Sequence, residues 1–128
     1  MPEGVAPGLR RVPGPLMTSG HRTAKEQIGL NEAAFRRINE SVEADYSETK
    51  YEGLIGFLCE CGHSACEETI ELTRSEYETL RADPRRFAVI GAHAIRMTED
   101  IVERHQRYAV VQKHEDVAGL VERSDPRR

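Results

Sequence analysis

The chain has 128 residues, with 22 acidic against 18 basic side chains and a formal net charge of -4. One compact domain fits that length, since domains usually run to roughly 100–150 residues. The charge is uneven: residues 1–25 hold Arg10, Arg11, Arg22 and Lys25 against Glu3, whereas residues 26–126 hold 21 acidic and 12 basic groups. An acidic body argues against a broad phosphate-binding face, which needs Lys and Arg along a polyanion. No apolar run approaches the ~20 residues of a membrane span, and the first 25 residues lack a continuous apolar segment of the signal-peptide kind. A cytoplasmic protein is expected, without a membrane partner and with nucleic acid disfavoured.

Residues 1–22 contain four Pro and four Gly and show no apolar periodicity. A disordered leader is expected there, with Met17 an alternative start. A single domain follows over 23–123. From Thr23 to Tyr46 the pattern is helical, with Ala34, Phe35, Ile38 and Val42 as an apolar stripe and Asn31 as N-cap. Glu32, Arg36, Arg37, Glu40 and Glu43 form the face expected in solvent. This amphipathic helix covers a sheet or, as a second possibility, takes a protein partner or a second copy.

Residues 53–61 alternate as a strand, placing Ile55, Phe57, Cys59 and Cys61 on one face. After the turn Gly62–Ala65, residues 69–73 form a partner strand with Ile70 and Leu72 inward. Thr73-Arg74-Ser75-Glu76 matches a capping box, opening a helix with Tyr77 and Leu80 that Asp83-Pro84 stops. Phe87–Ile90 read as a third strand, residues 97–103 as a short helix begun by Thr98, and Tyr108–Gln112 as a fourth strand. A last helix spans His114–Arg123 with Val117, Leu120 and Val121 as its stripe, and residues 124–128 are expected to fray. The order implies an α+β fold with a small, mainly antiparallel sheet of about four strands.

Cys59, Cys61 and Cys66 sit within eight residues, a poor disulfide framework and a good metal framework. Zinc takes four ligands in a tetrahedron, so three thiolates lack one partner. His93 follows the third strand in Gly91-Ala92-His93, where Gly91 helps the ring turn inward; it is the preferred fourth ligand. His63, inside the cysteine turn, is the alternative, although it would close a very tight loop. Buried structural thiols, a redox pair and an iron–sulfur centre are competing readings, the last short of a fourth Cys. A structural zinc would contribute folding energy on the order of 10–16 kcal/mol, as in small zinc peptides.

A Cys3His set is closed to substrate. With His93 unbound, three thiolates and water would remain, and Glu60, Glu67 or Glu68 would be candidate bases of a zinc-dependent enzyme. Otherwise those glutamates form a solvated acidic edge. No nucleophile-elbow, zincin, P-loop or dinucleotide motif occurs. His21, His105 and His114 are expected at the surface. A basic stripe of Arg85, Arg86, Arg96, Arg104 and Arg107 carries the nucleic-acid alternative. The favoured function is a regulatory or adaptor module with a structural zinc site, acting through protein contacts; a thiol-redox or zinc-dependent enzyme is the alternative.

The patterns N-E-A-x-F-R-x-x-N-E at Asn31–Glu40 and F-x-C-E-C-x4-C at Phe57–Cys66 together resemble a small protein family typical of actinobacteria. The run I-x-L-T-x-x-E-Y-E-x-L-R-A-D-P-x-x-F-A-V at Ile70–Val89 and then His93 extend the likeness over about residues 31–113. Fifteen arginines against three lysines suit a GC-rich bacterial genome. The resemblance implies a metal-site pattern and carries over no activity. It also favours His93, because the family commonly lacks histidine at the position of His63. Ala92 stands where the family usually has Gly before that histidine.

Overall fold

A computed structural model describes residues 22–127. The expected leader, the Met17 start and His21 therefore lie outside the described residues. Helix α1 (Ala24–Tyr46) leads, then strands β1 (Leu54–Leu58) and β2 (Thr69–Thr73) and helix α2 (Arg74–Arg81). Strand β3 (Arg86–Val89), a 3-10 turn at Gly91–His93, strands β4 (Glu99–Arg104) and β5 (Ala109–Lys113), and helix α3 (Glu115–Arg123) complete the order. This is an α+β fold with two antiparallel sheets, β1-β2 and β3-β5-β4, in place of one four-stranded sheet. None of the helices among the described residues is long and apolar enough to cross a membrane.

Local signals set several elements. In the first sheet Ile55 pairs with Leu72 and Phe57 with Ile70, all four buried by two-residue alternation. Phe57 stacks on Tyr77 of α2 at 4.4 Å between ring centroids. Thr73 caps α2, its hydroxyl accepting from the Glu76 N–H while the Glu76 carboxylate accepts from the Thr73 N–H. Phe87, Ala88 and Val89 of β3 are all buried, serving two core clusters on opposite sides of the strand.

Four expectations are corrected. Thr23, not Asn31, caps α1, in a second capping box with Glu26; Asn31 lies inside the helix and donates to the Gly62 carbonyl at 2.9 Å. The buried side of the helix is also only partly the expected one: Val42 packs against the core and Arg37 is exposed, as expected, but the rest of the inward face is largely polar. Its buried residues are Gly29, Glu32, Ala33, Arg36, Asn39 and Glu43, whereas Ala34 faces solvent and Ile38 is 49% exposed. The polar face goes inward because the core offers it partners. Arg36 donates to the carbonyls of Pro84 and Val121 at 2.6 Å each and covers the Phe87 ring. Asn39 pairs both the N–H and the C=O of Leu58, closing the free edge of β1.

Residues 97–103 are not a helix: Glu99–Arg104 pair with β5 in an edge strand, with a bulge between Ile101 and Glu103. Charged side chains are suited to such an edge, which explains the missing apolar alternation. The expected frayed end is also held as far as Arg127. Asp125 is buried against Arg81, and Arg127 pairs with Glu40 and Glu78 at 2.6 and 2.8 Å.

Candidate metal centre

Three segments converge on one point. Strand β1 runs out through Cys59 and Cys61, the following turn returns Cys66, and the 3-10 turn after β3 supplies His93. One ligand atom from each of the four lies within 4.8 Å of all the others, so the set could hold a metal ion. The Cys59 and Cys66 sulfurs stand 3.5 and 3.7 Å from Nδ1 of His93. Its other nitrogen, Nε2, faces the exposed Glu68, 3.6 Å from a carboxylate oxygen and outside hydrogen-bond distance. Cys59 and Cys61 are buried, and Cys66 and His93 are half-buried.

A backbone donor serves one of the sulfurs: the Ile90 N–H donates to Cys59 Sγ at 3.2 Å. Burial nevertheless pushes the Cys59 and Cys61 thiols up from their ordinary range. The turn itself is closed by the Cys66 N–H donating to the His63 carbonyl at 3.0 Å. The His63 side chain is exposed, its ring 5.9 Å from that of His93, and it is not one of the four grouped ligands.

Glu60 departs from the expected solvated edge. Strand alternation turns it away from its cysteine neighbours into a fully buried niche. There Oε2 accepts from Asn39 at 2.9 Å and from the Tyr77 hydroxyl at 2.7 Å, while Oε1 accepts from the Ala88 N–H at 2.9 Å. With the Glu60 N–H donating to the Ala88 carbonyl, it joins the two sheets beside the cluster. The cysteines' own alternation pointed to this, since residue 60 must face opposite 59 and 61. Glu67 and Glu68 are exposed.

Three of the five arginines of the stripe are paired: Arg85 with Glu115 at 3.3 Å, Arg86 with Gln112 at 3.0 Å, and Arg107 with Glu76 at 2.7 Å. His105 and His114 pair with Glu103 and Asp100 at 2.8 and 3.3 Å. No family model matches the chain, and neither the curated proteins nor the solved structures contain a match to it.

Proposed function

We propose that Cys59, Cys61, Cys66 and His93 hold one structural zinc ion, and that the chain is a small cytoplasmic module acting as regulator or adaptor through protein contacts. The sulfur-to-nitrogen separations of 3.5 and 3.7 Å carry the metal assignment. Bonds of about 2.3 Å to sulfur and 2.05 Å to nitrogen at the tetrahedral angle give an edge of about 3.6 Å. Soft thiolates with one imidazole suit zinc, and four protein donors leave no position for a reacting water. That favours a structural role over catalysis, as does Glu60, whose carboxylate is spent on Asn39, Tyr77 and Ala88.

Protein contact is supported by large apolar side chains left in solvent, including Ile38 on the outer side of α1 and Leu54 at the start of β1. The paired arginines support it too, because their charge is already used within the chain. The likeness to the actinobacterial-type family belongs to the same proposal. Metal analysis of chelator-free protein tests the site. One zinc per chain is expected, lost in Cys61→Ser and His93→Ala and retained in His63→Ala. Zinc kept by His93→Ala but lost with His63 would overturn the ligand set. Absence of metal in the wild type would overturn the reading and return the cysteines to thiol chemistry.

A further inference from the structure

Behind the metal centre lies a polar cluster that the proposed function leaves unused. Lys113 of β5 donates to Glu32 of α1 at 2.6 Å, to the Thr98 hydroxyl at 2.8 Å and to Glu99 of β4 at 3.0 Å. The side chains of Lys113, Glu32 and Glu99 are all fully buried. Burying three ionisable groups is costly, and replacing such a set by apolar residues is often neutral or stabilising. Its placement suggests what it does here. The second oxygen of Glu99 accepts from the Ile95 N–H at 2.9 Å, two residues beyond His93. Thr98 closes the same segment, its N–H donating to the Ile95 carbonyl at 2.9 Å. The Ile95 side chain, with Ile28 of α1, packs on Gly62 between Cys61 and His63.

We propose that Glu99 is a positioning residue for the metal centre: held by Lys113, it fixes the Ile95 backbone and so the reach of His93. The inference rests on the metal-binding reading above. It makes α1 part of the site's support, since Glu32 holds the same lysine and Ile28 the cysteine turn. Docking of α1 and occupation of the site then assist each other reciprocally. Glu99→Asp keeps the charge but is one methylene too short to serve Ile95 and Lys113 together; Glu99→Gln keeps the length and removes the charge.

Cobalt(II) titration of wild type, both variants, His93→Ala and the doubles, followed by visible absorption, tests this. The Glu99 variants should bind cobalt about tenfold or more weakly, the usual size of a supporting-residue effect. Their ligand-field bands should move towards those of a three-sulfur, one-oxygen site. In the His93→Ala background the Glu99 change should cost nothing further, which a merely structural role would not produce. Wild-type affinity and spectrum in both variants would overturn the proposal, as would an equal added loss in the doubles. Should His93→Ala abolish cobalt binding, the band positions of the single variants decide in the same sense. Failure of the wild type to bind cobalt is a separate result, overturning the metal reading and this inference with it.

Discussion

Gly62 shows how closely α1 approaches the cysteine turn. A Cβ at this position would stand 2.3 Å from Ile28 Cγ2 and 3.0 Å from Ile95 Cδ1. Contacts that short force side chains from their rotamers, and overpacking of this kind costs about 1–3 kcal/mol. Gly62→Ala should therefore destabilise the chain by that amount in urea unfolding. The nearest obstacle is a side-chain branch and not backbone, so the cost should shrink when Ile28→Ala is made in the same chain. An unchanged cost in both backgrounds would show that the close approach is not its cause. The same residue accepts from Asn31 through its carbonyl, at 2.9 Å. Helix and turn are thus fitted to each other at backbone and side-chain level.

Helix α1 separates what the sequence makes legible from what it does not. The alternation of Ile55, Phe57, Cys59 and Cys61, the capping box at Thr73 and Glu76, and the apolar run of β3 are signals carried within a few residues. Those elements are readable because neighbours along the chain decide them. The face that α1 buries is decided elsewhere: Arg36 reaches Pro84 and Val121, Asn39 reaches Leu58 and Glu60, and Glu32 reaches Lys113. No periodicity rule anticipates carbonyls supplied from up to 85 positions away. Edge strand β4 was hidden for the related reason that its acidic residues satisfy pairing without apolar alternation. Of the site, the three cysteines were local and His93 was legible from ligand chemistry. Ile95 and Glu99 were not, because neither touches the ligand atoms. The polar buried face has a consequence with pH. Burial, reinforced by the neighbouring Glu99, raises the Glu32 carboxyl well above its ordinary range. Burial pushes Glu99 upward too, but its neighbour Glu32, the Lys113 charge and the Ile95 N–H outweigh that and hold it below the ordinary range. A raised carboxyl contributes stability that is fully present below its unfolded range and lost as pH rises through the folded value. Glu32→Gln, neutral at every pH, should thus gain on wild type in urea unfolding as pH rises above the ordinary carboxylate range. Parallel curves would show that Glu32 keeps one charge state over that rise.

Across the whole molecule, the proposed zinc would bring the end of β1, the cysteine turn and the turn after β3 to a single point, beside the Cys59 N–H bond to the Glu68 carbonyl and the Ile90 N–H bond to Cys59. Several of the other long-range ties are polar and costly to bury: the Glu32–Lys113–Glu99 set, Glu60 between the sheets, and Arg81 with Glu40 and Asp125. Aromatic residues are only 5% of the chain, with no Trp, so large apolar side chains contribute less than in most domains. In such a body a bound ion should show directly in stability. A metal that binds the folded chain and not the unfolded one adds about 2.7 kcal/mol at a hundredfold excess over Kd. For a domain of about 100 residues that corresponds to a Tm increase of roughly 10–20 °C. Thermal melts of the chain with added zinc and with chelator should differ by that interval. Cys61→Ser and His93→Ala should melt alike under both conditions, whereas His63→Ala should keep the wild-type difference. A melt insensitive to zinc in the wild type would mean that packing and hydrogen bonds hold the three segments together without an ion.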